Sequence, residues 1–224
     1  MMDKQSLARR IKETSYLEGD FTLRSGKKSK YYMDKYLFET QPDILESLGA
    51  LMARRRSPNV ARIAGAELGG VALAAAAALA AKLPFFIVRN AKKDYGTGKM
   101  IEGALNAGDC VLLVEDIATT GGQVLEAAKV ITAAGATIDR IVAVIDRQEG
   151  ARENSEAAGY RFESILTWGS DLPESLWHSD LPYSPVFIPW GIFPAATLIR
   201  LLPSGSGSAA APRGAMSSRT SSRR

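Results

Sequence analysis

Apolar residues in this chain fall into short dense runs, separated by stretches where they recur every three or four positions. The runs "NVARIAGAE" (59–67), "PFFIVRN" (84–90), "CVLLVED" (110–116), "RIVAVID" (140–146) and "YRFESILT" (160–167) are rich in Val, Ile and Phe and have strand length. Between them, "GGVALAAAAALAAK" (69–82), "GGQVLEAAKVITAAG" (121–135) and "EGARENSEAAG" (149–159) read as helices. Strands alternating with helices predict an α/β fold whose parallel sheet is covered on both faces. Ahead of this unit, "LARRIKETSYLE" (7–18) has the pattern of an amphipathic helix. "FTLRSGKKSKYYMD" (21–34) has that of a strand–turn–strand with Gly26 in the turn.

The alternation places one domain over residues 1–172. Residues 173–202 form a Pro- and aromatic-rich extension, with five prolines among Trp177, Tyr183, Phe187, Trp190 and Phe193. Its uncharged run from Ser184 to Ile199 is 16 residues and is broken by Pro185, Pro189 and Pro194. A membrane helix needs ~20 mostly apolar residues, so no membrane span is expected. Residues 203–224, dominated by Ser, Gly and Ala, are expected to be a disordered basic tail.

Charge changes the picture less than the net value suggests. The chain has 28 basic and 24 acidic residues, a net +4. Arg213, Arg219, Arg223 and Arg224 all lie in the tail, which carries no acid, so the body balances at 24 of each sign. The basic pI belongs to the tail and gives no argument for a nucleic-acid partner. Cys110 is the only cysteine and His178 the only histidine. That excludes an intrachain disulfide and makes a zinc site of the usual composition an unsuitable reading. The opening "MMDKQSLARRIKETS" has no apolar core of a signal peptide, so a cytoplasmic location is expected.

Candidate chemistry concentrates in "VLLVEDIATTGGQ" (111–123). Ligands of open parallel sheets bind beyond the carboxyl ends of the strands, and Glu115 and Asp116 are expected at such an end. The N–H groups that open the following helix make a phosphate seat. Gly121 and Gly122 allow close backbone approach, and Thr119 and Thr120 add hydroxyl donors. Taken alone, an acid at a strand end merely caps the next helix, and Thr-Gly pairs are ordinary turn chemistry. Two carboxylates beside a phosphate seat suit a ligand that carries hydroxyls or develops positive charge. A ribose phosphate losing a group from its anomeric carbon does both. A second feature is "RNAKKDYGTGK" (89–99), directly after a predicted strand. Lys92, Lys93 and Lys99 concentrate charge there, while Gly96 and Gly98 permit motion, as in a cationic lid.

The stretch around Glu115 to Gly122 resembles the phosphoribosyl-pyrophosphate (PRPP) signature of type I phosphoribosyltransferases. "FTLRSGKKSKYYMD", "GAELGGVALA", "VRNAKKDYGTGKMIEG" and "VIDRQEGA" resemble orotate phosphoribosyltransferase, in the same order and spacing, over roughly residues 7–172. The resemblance implies a Rossmann-like parallel sheet flanked by helices, with a small N-terminal hood over about residues 1–40. It implies transfer of phosphoribose from PRPP to orotate in de novo pyrimidine (UMP) biosynthesis, with Mg²⁺ held mainly through PRPP. Lys93, Asp116 and Glu115 are implied as catalytic. Arg89, Lys92, Lys93, Tyr95 and the run Glu115, Asp116, Ile117, Ala118, Thr119, Thr120, Gly121, Gly122 and Gln123 are implied to bind PRPP. Orotate is implied to meet Thr119, Arg147, Arg24 and Tyr32. Tyr31 reads rather as hood core, and an ion pair with Glu149 is the plain alternative for Arg147. A homodimer with shared sites is also implied.

The chain departs from the family pattern at Asn90, Tyr95 and Gly69, where many or some members carry a second lysine, a histidine and a lysine. Each departure removes a cation from the pyrophosphate side, and weaker PRPP binding is expected. Two other readings stay open at this point. One is a phosphoribosyltransferase for another base; the other is a non-catalytic PRPP-sensing regulator.

Overall fold

The computed structural model describes residues 2–22, 26, 28–91 and 99–172. Helix α1 (Lys4–Ser15) is capped by Asp3, whose carboxylate accepts from Ser6 N at 2.9 Å. Its apolar stripe, Leu7, Ala8 and Ile11, is buried. The helix ends at Ser15, three residues short of the expected end. Tyr16, Leu17 and Glu18 instead open strand β1 (Tyr16–Thr22), antiparallel to β2 (Lys28–Met33), and pair with Met33, Tyr32 and Tyr31. Ladder bonds to β2 satisfy backbone groups that a further helical turn would have used, so tertiary pairing overrides local periodicity.

Asp34 follows β2 directly. Its side chain accepts from Tyr36 N at 3.1 Å and starts the short helix α2 (Lys35–Glu39), which is anchored by the fully buried Phe38. Burying such a ring is worth roughly 1.5–3 kcal/mol. Helix α3 (Pro42–Arg55) begins with Pro at its first position, where no intrahelical donor is needed. Neither α2 nor α3 is among the elements that the sequence pattern predicts.

The expected alternation follows as β3 (Arg62–Ala66), α4 (Gly70–Ala81), β4 (Phe85–Val88), the short β5 (Ile101–Glu102), β6 (Cys110–Ala118), α5 (Gly122–Ala133), β7 (Thr137–Asp146), α6 (Ala151–Ala157) and β8 (Phe162–Thr167). The sheet order is β5-β4-β3-β6-β7-β8. β3 pairs in parallel with β4 and β6, and β7 pairs in parallel with β6 and β8. Only β5, which the sequence reading omits, runs antiparallel, against β4.

Strand alternation divides the core. Leu112 and Val114 of β6 join Leu7, Ile44, Leu48 and Leu73, so α1, α3 and α4 cover one face. Val111 and Leu113 join Val124, Ala127, Ile131 and Ala151, so α5 and α6 cover the other. A strand buried on both faces reads as a continuous aliphatic run. This is why "VLLV" contains no polar position.

Candidate active site

Because β3, β4, β6 and β7 are parallel, the segments that leave them emerge at one edge of the sheet: Glu67, Arg89, Thr119 and Arg147. The two carboxylates are not at the end of their strand. β6 continues through Ile117 and Ala118, which pair with Ile145 and Asp146 of β7, so Glu115 and Asp116 lie within it and are buried. Continued pairing with β7 keeps the backbone extended for two residues beyond Asp116.

After Ala118 the chain turns through Thr119 and Thr120, both exposed, into Gly121 at φ 77°. That left-handed conformation is costly for any residue with a side chain. Gly122 opens α5, and no side chain caps this helix. Its first N–H groups, with their partial positive charge, therefore face the edge of the sheet. The turn is held from behind: Asn154 Nδ2 donates to Thr120 O at 2.9 Å, and Arg147 N donates to Ala118 O at 2.9 Å. An anion seated here meets preorganised donors.

Asp116 is the most constrained of the site residues. Its Oδ1 accepts from Ile117 N, and its Oδ2 accepts from Lys35 Nζ at 2.5 Å. Its side chain is 3% exposed and that of Lys35 is 31% exposed. A Cβ on Gly69 would lie 1.5 Å from Oδ2, so any side chain there would require the Asp116 carboxylate to move. Glu115 and Glu39 are buried as well, each with one carboxyl oxygen lacking a hydrogen-bond partner, Oε2 and Oε1 respectively. Burial, then the charge of Asp116, raises both acids: Glu39 from 4.5 to about 8, and Glu115 well above its usual range. Lys35 is pushed up by its hydrogen bond and charge pairing with Asp116, against the opposing effect of burial. The cluster therefore holds an Asp116–Lys35 ion pair beside two acids whose burial favours the protonated form.

Just beyond β4, Arg89 Nε donates to Ala91 O at 3.3 Å, and its Nη1 lies 3.7 Å from Glu102. Arg89 N donates to Met100 O at 2.8 Å, which joins the two ends of the 91–99 segment. Asn90 has a structural task. Its N donates to Glu67 Oε2 at 3.2 Å and its Nδ2 to Glu67 O at 2.8 Å. Gln123 Nε2 donates to the same carbonyl at 2.6 Å. These bonds tie the ends of β3 and β4 to the start of α5. The side-chain amide of Gln123 is thus engaged within the protein.

Arg147 joins the sheet to the hood. Its guanidinium lies 4.8 Å from the centre of the Trp168 ring, and its Nε sits 3.2 Å from Glu149 Oε1. The ion pair with Glu149 that the sequence allowed is thus present. Trp168 stacks on Tyr31 at 6.4 Å, and Tyr31 stacks on Tyr16 at 5.7 Å. Tyr31 is half-buried and packs between these two rings. Tyr32 tilts against Phe21 at 5.5 Å and remains 42% exposed. Arg24, Lys92, Lys93 and Tyr95 lie outside the described residues.

Sequence reasoning missed Lys35, Glu39 and Glu67. Lys35 and Glu39 stand four apart in "DKYLFE", a spacing that reads as an exposed helical ion pair. Only Phe38 and Asp34 hint that this short helix turns its charges inward.

Residues 37–170 match the model of the phosphoribosyl transferase domain. The chain is 47% identical over 154 residues to orotate phosphoribosyltransferase of Natronomonas pharaonis, covering 69% of this chain and 87% of that protein. It is 43% identical over 168 residues to the Methanocaldococcus jannaschii protein of the same name, covering 74% and 96%. Among solved structures, Mycobacterium tuberculosis orotate phosphoribosyltransferase in complex with 5-phospho-α-D-ribosyl 1-diphosphate superposes with a TM-score of 0.65 at 31% identity, covering 76% of this chain and 99% of that one. The overall fold is thus shared with that enzyme, and the chain belongs to the orotate phosphoribosyltransferase family of phosphoribosyl transferases.

Proposed function

We propose that the protein transfers phosphoribose from PRPP to orotate, giving orotidine 5′-monophosphate and pyrophosphate in pyrimidine (UMP) synthesis. The carrying observation is the β6–α5 turn, where an ionised Asp116 lies beside an uncapped helix N-terminus. The 5′-phosphate sits on the N–H groups and hydroxyls of Thr119 to Gly122. The ribose hydroxyls meet Asp116 and Glu115. As the bond from C1 to pyrophosphate breaks and the ring gains positive charge, the Asp116 carboxylate stabilises it by an electrostatic contact in place before the reaction. Orotate N1 then bonds to C1 as the N1–H bond breaks and its proton leaves to the departing pyrophosphate or to solvent. Arg89, Lys92, Lys93 and Tyr95 receive the pyrophosphate. Arg147 grips orotate through its planar guanidinium, and Tyr32, Arg24 and Thr119 complete the base site.

Among the described residues, no three His, Cys, Asp or Glu side chains gather as a metal cage. The Asp116 oxygens are engaged by Lys35 and Ile117 N. These donors suit Mg²⁺ brought in by PRPP, an ion that prefers phosphate oxygens and water and supplies charge neutralisation to the leaving pyrophosphate. We place the protein in the cytoplasm as a homodimer with shared sites. Helix α4 supports the assembly, because "GVALAAAAALAA" is apolar all round and leaves Leu79 81% exposed. No helix among the described residues is long and apolar enough to cross a membrane.

The test is turnover with PRPP, Mg²⁺ and, in parallel, orotate, uracil, adenine and hypoxanthine. Orotate alone is expected to be consumed. Preference for another base would favour the broader phosphoribosyltransferase reading, and PRPP binding without turnover the regulator reading.

A further inference from the structure

Three carboxyl groups and one ammonium share the buried space behind the turn, and the position of Lys35 within it serves a purpose beyond neutrality. We propose that Lys35 is a positioning residue for Asp116: its ammonium, delivered from α2 onto Oδ2 at 2.5 Å against the bare backbone of Gly69, holds that carboxylate ionised and fixed for the ribose. This rests on the phosphoribosyl-transfer reading of the site.

A carboxylate offers about four lone-pair sites. Lys35 and Ile117 N use two of them, one on each oxygen, and the carboxyl groups of Glu39 and Glu115 also interact with Asp116. Gly69 lies against Oδ2 and limits rotation of the carboxylate on that side, and the pairing of Glu115 and Ile117 with β7 fixes the backbone that carries it. The pairing also decides which acid is charged. The charged and titratable groups acting on the cluster are Lys35, Asp34 and Tyr36 from the hood side, Glu39 on α2, and Glu115 on β6. Without the ammonium, Asp116, Glu39 and Glu115 would compete for protons in a poorly solvated space, and ionisation would be shared among them. The negative charge needed opposite the developing cation at C1 would then be spread over the three acids rather than held on Asp116.

The experiment compares wild type with Lys35→Met, Lys35→Gln and Lys35→Arg, measuring kcat, orotate KM and urea midpoints from pH 6 to 9. At pH 7 the Met and Gln variants should lose about ten- to a hundred-fold in kcat, the usual effect of removing a group that orients a functional residue. Orotate KM should stay within about two-fold, since the base site is separate. The kcat–pH profile of these variants should differ from that of wild type, because the ammonium no longer biases the three-acid cluster, and Lys35→Arg should recover most of kcat by keeping the charge. A purely structural lysine would instead lower the urea midpoint and leave the kcat of the folded fraction and its pH profile unchanged. That result, or Lys35→Arg no better than Lys35→Gln, overturns the proposal. If Lys35→Met does not fold, the Gln and Arg variants decide alone. A wild type without orotate turnover would instead overturn the functional reading on which the proposal stands.

Discussion

Glu39→Gln isolates the energetic cost of the buried acid cluster. Glu39 is 3% exposed, has no hydrogen-bond partner for Oε1, and titrates at about 8 rather than 4.5, chiefly because burial penalises its charge. In the unfolded chain it is ionised above about 4.5, while in the native protein it keeps its proton until about 8. Between these values the native state binds more protons than the unfolded one, so its stability falls as pH rises. The contribution is fully present below the unfolded value and is lost as pH passes the folded one. Each pH step across the window costs up to ~1.4 kcal/mol, giving a ceiling near ~5 kcal/mol. Relaxation and water entry around the ionised group reduce this to an expected ~2–3 kcal/mol. Glutamine keeps the shape and cannot ionise. Urea unfolding of both proteins at one protein concentration should give similar stabilities near pH 4.5 and a variant that is ~2–3 kcal/mol more stable above pH 8. A difference that does not change with pH would refute the assignment of a buried neutral acid at position 39.

Gly69→Ala places a methyl group on Asp116 Oδ2, at 1.5 Å before relaxation, and should cost ~1–3 kcal/mol in stability along with most of the turnover; a melting temperature and kcat equal to wild type would contradict the close approach. Lys93→Ala should lower turnover by about 10²–10³-fold with little change in orotate affinity, measured by steady-state kinetics and equilibrium binding. Mixing Lys93→Ala subunits with Asp116→Asn subunits should restore activity, since one site of the mixed dimer then carries neither lesion; no recovery in mixed dimers shown to form by mass spectrometry would exclude a shared site. Cutting after Leu202 should leave kcat and sedimentation unchanged, because residues 203–224 cannot build a core.

The alternation of strands and helices, and the edge where the site lies, are legible in the chain because a buried parallel strand admits little but aliphatic residues. "VLLV" and "RIVAVID" declare themselves for that reason, and the "TTGG" turn does so because the left-handed Gly121, set against Ala151, calls for glycine. Short elements without such a signature escape the pattern. α2 has five residues and β5 two, too few for any period to repeat, and Tyr16 to Glu18 are strand only because β2 lies beside them. The same limit hides half of the site. Lys35 and Asp116 are 81 residues apart in the chain, and their pairing follows from how α2 docks against β6. Nothing local distinguishes that lysine, or Glu39 beside it, from an exposed pair on a helix surface. Ionisation states are likewise set by long-range packing: whether a glutamate titrates near 4.5 or about 8 depends on which groups surround it, and tertiary structure alone brings those groups together.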